Sequence, residues 1–537
     1  MLEIVQTDLS KYLYQLLSCD KLSLVAASTR VSILLFETMR HKLKYQLEEY
    51  LKKMVEIIRD ENQNSYELKE LLLEYLAQLF HLPGMATELY LNYDCDNHCT
   101  NLYEEMTKLL SKQAFPATPQ LYSTHLLSLD GLCTLIDGIE QNCQKESENK
   151  KPRSKNKAKV YNLDSGVLVA QRGNQEASVK FSSRAKIDTT RHPPRFTSAA
   201  PSIEEIINIK QRKKLFHAGS ELFNQKPKKG VAFLREQGLF EADNWEQVAD
   251  WLRTNPSLSK KEIGDYIGDR HNPELLKAFV RTFDFRGDRI DEGLRKYLNA
   301  FRLPGEAPVI QRLLEAFCPV WRSANGDCYA SDDDTMVLAY AIIMLNTDQH
   351  NQNVAKNATP MTVKAFKNNL RGCNGGVDFD QEMLDDVFDS IHNNEIVLPE
   401  EQSGLKRDEW VWKEIQTRSR TPEGTYLSMS DTVAQTYDAE LFEITWGPTV
   451  HALGYAFDRS NDPSIIQKAV AGFGKCAKIS AFYNKSDVFD NLIITLCNKT
   501  GLTGLESYEH VAHSLGTNSK ARLGTVFKFL ELLLIIT

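Results

Sequence analysis

Two stretches of this chain hold residue types at spacings that could do chemistry. The first is Phe301-Arg302-Leu303-Pro304-Gly305-Glu306-Ala307-Pro308-Val309-Ile310. It places one carboxylate, Glu306, on a proline-glycine bend with no nucleophile or general base beside it, so the chemistry open to it is electrostatic. The second is the apolar run Leu338 to Leu345, followed at once by Asn346-Thr347-Asp348-Gln349-His350-Asn351. Other chemistries are poorly provided for. A phosphate-cradling loop fails at Gly474-Lys475, because Ala469 stands for the first glycine and Cys476 for the magnesium-binding hydroxyl. No Gly-x-Ser-x-Gly elbow, His-Glu-x-x-His helix or paired Cys-x-x-Cys is present. Cys95, His98 and Cys99 lack a second ligand pair, and Asp332-Asp333-Asp334 lacks the calcium-loop pattern. The three aspartates read as the cap of a helix starting near Thr335. The chain is therefore expected to hold no metal and no cofactor of its own.

The elements that must position these residues are helices. Leu294, Tyr297, Leu298 and Phe301 recur at helical spacing before the bend, and Val309, Ile310, Leu313, Leu314 and Phe317 after it. Pro304 and Gly305 end the first helix and Pro308 suits the first turn of the second. Glu306 is thus held on a short, stiff connection and points away from the core. The run Leu338 to Leu345, apolar all round, calls for burial by neighbours. Its polar end reads as a capped loop.

At 537 residues the chain is too long for one core. Residues 1–143 read as helices, with Leu43, Leu47, Leu51, Met54 and Ile58 on one stripe and charged residues opposite. Residues 144–201 form a basic, polar linker, 202–403 a second helical region, and 404–537 a third. In the last, Ser464 to Ser480 and Ser486 to Lys499 look like paired helices of an α-solenoid. The net charge of −8 is small for this length and argues against a nucleic-acid partner. Ten scattered cysteines suit free thiols in a reducing compartment. The amino end shows no secretory pattern, and the longest uninterrupted apolar run, Met336 to Leu345, is too short to span a bilayer. The expectation is a cytosolic protein that visits a membrane surface. The carboxyl end stops inside an apolar run without a helix-ending signal, so the helical array is expected to continue.

Together, in order and at this spacing, the two stretches resemble the signature motifs of the Sec-seven domain, the exchange module for ARF-family small GTPases. The resemblance covers about Ser202 to Glu401. Asn92-Tyr93-Asp94-Cys95-Asp96 and Asn101-Leu102-Tyr103-Glu104 look like the box of the domain that precedes it in the large Golgi exchange factors. Thr421-Pro422-Glu423-Gly424-Thr425-Tyr426 looks like the start of the first downstream homology domain. The match is closest to the Golgi brefeldin A-resistant subfamily.

That resemblance implies an all-α fold: a right-handed helical superhelix of the Sec-seven type, flanked by α-solenoid-like helical domains. It implies an exchange factor that releases GDP from an ARF-family GTPase at Golgi membranes, in the cytoplasm at the cis-Golgi and ER-Golgi intermediate surface, with homodimers in a longer form. GDP and magnesium would belong to the partner. Glu306 matches the glutamic finger. Arg302, Leu303, Asp333, Tyr340, Met344, Asn346, Thr347, Asp348, His350 and Asn351 match the groove that takes the GTPase. Tyr340, Met344 and Asp348 also match positions that decide the response to brefeldin A. The competing reading is a catalytically silent helical scaffold or tether, against which an intact Glu306 and an intact Asn346-to-Asn351 segment argue.

Overall fold

A computed structural model describes residues 2–60, 64–115, 122–150, 201–326, 328–350, 360–398, 405–419, 425–429 and 431–500. Among these the chain is all-α; the only β feature is an isolated bridge between Asn374 and Val377. Most of the expected linker, residues 151–200, and the carboxyl end beyond residue 500 lie outside the described residues, as do Asn351 and residues 421–424.

The chain forms two compact units. The first opens on helical turns over residues 2–16 and continues with α1 (Leu22–Met39), α2 (Lys44–Arg59), α3 (Tyr66–Phe80), α4 (Leu102–Gln113) and α5 (Ser123–Lys150). The second comprises α6 (Ile203–Gln225), α7 (Pro227–Glu236), α8 (Trp245–Thr254), α9 (Lys260–Ile267), α10 (Pro273–Arg281), α11 (Ile290–Leu298), α12 (Ala307–Ala324), α13 (Asp332–His350), α14 (Val363–Asn369) and α15 (Gln381–Asn393). The chain then returns to the first unit through α16 (Asp438–Arg459), α17 (Pro463–Phe482) and α18 (Ser486–Thr500). Two expectations change. Helix α5 runs through residues 144–150, where the linker was expected to begin. The upstream and downstream helical regions are not separate: α16 and α17 pack on α5, and both belong to one unit.

Charge fixes the register of that packing. Asp130, Asp137 and Glu140 on α5 pair with Lys468, Lys475 and Lys478 on α17, the middle pair at 2.6 Å and the last at 3.9 Å. Both helices advance together along the ladder, so they run parallel. In α2 the stripe Leu43, Leu47, Leu51, Met54 and Ile58 is buried as expected, but Lys44, Gln46 and Glu48 are buried too. Glu48 Oε1 accepts from the Thr100 amide at 2.8 Å, which offsets part of the cost of burying the carboxylate, while its Oε2 has no hydrogen-bond partner. Helix α1 extends with Arg40–Lys42 to 21 residues that are apolar enough, by length and composition, to cross a membrane. Its Val25, Thr29 and Phe36 are buried, and Tyr50 on α2 donates to Thr29 Oγ1.

In the second unit the helices are short because the sequence punctuates them. Asn244, Ser259 and Asp380 accept from the first-turn amides of α8, α9 and α15. Pro273 opens α10, where its missing N–H has no cost.

Candidate functional site

The Glu306 turn is anchored from below by aromatic packing. Phe301 is fully buried, with its ring centroid 4.9 Å from Tyr297 and 6.0 Å from Phe279. Tyr297 in turn stacks on Phe317 of α12 at 5.4 Å. These rings weld the end of α11 to α10 and α12, so the residues after Phe301 leave a rigid base. Glu306 is the N-cap residue of α12, and its carbonyl accepts from Val309 and Ile310 at 2.9 and 3.1 Å. Its side chain makes no cap bond. Among the described residues the exposed carboxylate has no hydrogen-bond or ion-pair partner, as its expected outward direction required. Leu303 is half-buried and packs on the core, while Arg302 is exposed.

Helix α13 packs beside α12 and differs from expectation in three ways. It starts at Asp332, not near Thr335, and its cap is Ser331, whose Oγ accepts from the Asp334 amide at 3.1 Å. It also continues to His350, so the polar stretch is the last helical turns and not a loop. Nor is it buried all round. Thr335, Leu338, Ala339, Ile342, Ile343 and Leu345 face the core, but Asp333, Val337, Tyr340, Met344 and Thr347 form an exposed line. Val337, Tyr340 and Met344 are 42%, 40% and 50% exposed. Large apolar side chains repeated on one solvent-facing stripe mark a contact surface.

The remaining polar residues of α13 turn inward. Asn346 Nδ2 donates to Ile396 O at 3.2 Å, and the Ile396 amide donates to Asn346 Oδ1 at 2.7 Å. Asp348 accepts from the Met361 amide, and Gln349 donates to Met361 O at 2.9 Å. His350 Nε2 carries its proton, since it donates to Ile391 O at 2.6 Å. Of the residues assigned to the groove, Asp333, Tyr340, Met344 and Thr347 thus share one exposed face with Val337. Asn346, Asp348, His350 and Leu303 are half-buried and also bond or pack within their own unit. Asn351 lies outside the described residues.

Thiol and metal chemistry find little here. Burial pushes the Cys133 and Cys318 thiols up to about 12, far from a reactive thiolate. Among the described residues no group of three or more His, Cys, Asp or Glu side chains is placed to hold a metal ion.

Comparison with known proteins bears directly on these motifs. The Sec7 domain family matches residues 212–396, which contain both the Glu306 turn and α13, and the HUS domain of Mon2/Sec7/BIG1-like proteins matches residues 1–102. The Golgi-specific brefeldin A-resistance guanine nucleotide exchange factor 1 homolog of Caenorhabditis elegans is 40% identical over 98% of this chain and 28% of its own length.

The chain belongs to the Sec7 domain family.

A second relative, the ARF guanine-nucleotide exchange factor GNOM of Arabidopsis thaliana, is 32% identical over 98% of this chain and 35% of that protein. The chain therefore spans about a third or less of these relatives' lengths. A solved structure, described as ARF1-GDP bound to a Sec7 domain complexed with brefeldin A, is 42% identical over 36% of this chain and 97% of that one, with a TM-score of 0.34.

Within the HUS match, the box Asn92 to Asp94 lies on a π-helical turn, Tyr90–Asp94. Asp94 accepts from the Tyr103 and Glu104 amides at 3.0 and 3.2 Å and so caps α4, whose own N-cap Asn101 makes no cap bond. Asn92 exchanges two hydrogen bonds with the Leu427 backbone, at 2.9 and 2.8 Å. Beside it, the fully buried Glu88 accepts from Arg40, from Tyr426 OH at 2.9 Å and from the Met429 amide at 3.0 Å. The HUS box is thus a clamp on the segment that follows the Sec7 domain in the chain. Sequence reasoning found the box but not its partner, and it missed Glu88. It also missed two glycines of α9 against the Glu306 turn, Gly264 and Gly268, whose four-residue spacing on one helical face was the available signal.

Proposed function

We propose that this chain is a guanine-nucleotide exchange factor that releases GDP from an ARF-family small GTPase, with Glu306 as the group that enters the partner's nucleotide site. The observation that carries the reading is the pairing of an unpartnered, exposed carboxylate on a rigid turn with the exposed apolar stripe of α13, on adjacent packed helices. The names of both relatives, each an exchange factor, support it.

The physical argument is differential binding. A GTPase that holds GDP at nanomolar to picomolar affinity has about 12–16 kcal/mol to overcome. A carboxylate about 4 Å from a phosphate is repelled by roughly 4 kcal/mol at intermediate dielectric. That alone speeds release by about a thousandfold. The rest comes from apolar contacts of Val337, Tyr340 and Met344 with switch regions rearranged in the nucleotide-free state, which bind that state better than the GDP-bound one. No covalent bond is made or broken, and nucleotide and magnesium stay with the partner. The working place in this reading is cytoplasmic, on Golgi and early secretory membranes, with dimers in longer forms; the word Golgi in the name of the Caenorhabditis elegans relative supports the membrane part.

The test is release of fluorescent GDP from a lipid-bound ARF GTPase by the wild-type chain and by Glu306→Lys. The charge reversal is expected to abolish acceleration while leaving thermal unfolding unchanged. Equal acceleration by both would remove the proposed role of Glu306, and no acceleration by either would favour a silent scaffold.

A further inference from the structure

We propose that Gly264 and Gly268, together with Arg312, are positioning residues for the Glu306 turn, with helix α9 as the template that sets where the carboxylate stands. The inference rests on the reading of Glu306 given above.

Both flanks of the turn are fixed to α9. On the upstream side the Arg302 amide donates to Lys260 O at 2.8 Å. A Cβ on Gly264 would lie 2.1 Å from the Arg302 carbonyl oxygen, 3.2 Å from its carbonyl carbon and 3.4 Å from Phe301 Cδ2. On the downstream side Arg312 donates through Nε and Nη2 to Gly268 O at 3.2 and 2.8 Å. A Cβ on Gly268 would lie 2.5 Å from Val309 Cγ1, 2.9 Å from the Gly264 carbonyl oxygen and 4.0 Å from Pro304 Cγ. Gly264 is helical and Gly268 has φ −77°, so neither is needed for a left-handed conformation. Each is needed because the turn occupies the space of its missing side chain.

Only Leu303, Pro304, Gly305 and Glu306 stand between the pinned Arg302 and the first residue of α12, Ala307. Leu303 packs on the core and Pro304 has a fixed φ. Gly305 has open space around it and is the one soft joint. A displacement of the Arg302 carbonyl therefore passes to Glu306 with little to absorb it. At Gly264 the obstructing atom is backbone, so an added methyl must move the turn. At Gly268 the nearest atom is the tip of a side chain, with the Gly264 carbonyl oxygen next, so shortening Val309 relieves the closer of the two contacts. The two glycines differ in a way that a general loss of packing would not reproduce.

The experiment uses the full 537-residue chain with a lipid-bound ARF GTPase carrying fluorescent GDP, and measures kcat and KM separately beside thermal unfolding. Gly264→Ala is expected to lower kcat by about thirty- to a hundredfold, as angstrom-scale misplacement does, with KM little changed. Gly268→Ala is expected to lower kcat by less, and Val309→Ala in the same chain to restore part of it. Glu306→Lys is expected to cost much less in the Gly264→Ala background than in the wild type, because the two changes act on one group. Fully multiplicative losses, wild-type kcat for Gly264→Ala, or no recovery with Val309→Ala would each overturn the positioning role while leaving Glu306 in place. Unchanged exchange by Glu306→Lys alone would overturn both. Should Gly264→Ala lose its cooperative unfolding transition, the Gly268→Ala and Val309→Ala pair decides.

Discussion

Asn346 and Ile396, fifty residues apart, satisfy each other completely: the side-chain amide of one takes up both the N–H and the C=O of the other. The last turns of α13 thereby hold the chain that leaves α15. Asn346→Ala would leave both backbone groups without partners in a half-buried setting. We expect it to lower stability by about 1–3 kcal/mol, read by urea unfolding, while KM for the GTPase stays within about twofold. A large KM change without loss of stability would mean that Asn346 faces the partner after all.

The exposed stripe makes the opposite prediction. Met344→Asp and Tyr340→Ala remove apolar area that the free protein leaves in water, so thermal unfolding should not move. Each should raise KM by roughly ten- to a hundredfold, the loss of about 1.5–3 kcal/mol of burial at the interface. Unaltered KM for both would show that the partner docks elsewhere.

Glu88 is fully buried, and Arg40, Tyr426 and the Met429 amide all donate to it. Glu88→Ala would leave the Arg40 guanidinium partly buried and unpaired. Unfolding of the first unit should become easier by about 3–5 kcal/mol. Increased proteolysis near Tyr426, with little change near Glu306, would locate the effect in that unit.

Asp438 adds a pH dependence. Burial raises its carboxyl to about 7, opposed by the hydrogen bond from Asn142 at 2.8 Å and reinforced by nearby Glu146. A raised folded-state pKa favours the protonated form. The stabilisation is therefore fully present below about pH 4 and is lost as pH rises through about 7, at roughly 1 kcal/mol per unit. Asp438→Asn keeps the shape without the proton. Its stability relative to wild type should rise between about pH 4 and 7 and then level off. A pH-independent difference between the two would contradict the assignment.

Local signals were readable from residue order and distant ones were not. The proline-glycine punctuation around Glu306 and the periodic Leu294, Tyr297, Leu298 and Phe301 are short-range, and the turn stands where they put it. The end of α13 was expected as a loop, because nothing local shows that Asn346, Asp348 and His350 have partners of their own. Their partners are the backbone at residues 361 and 391–396, which only the tertiary fold brings near. Asn92 is the extreme case, since Leu427 lies 335 positions away. Gly264 was overlooked because a glycine in a helix gives no sign of what occupies the space beside it.

The ladder between α5 and α17 has a consequence for the order of events during synthesis. Helix α5 ends at Lys150, and the first downstream helix that covers it begins at Asp438. At about 5–20 residues per second, the ribosome needs roughly 15–60 s to make the intervening stretch. For that interval the apolar side of α5, with Leu132, Leu135, Ile136 and Ile139, is translated but not yet joined by α16 and α17. The Sec7 segment, continuous in sequence, can be complete first. A nascent chain of this design carries that face without its final cover until its later half arrives.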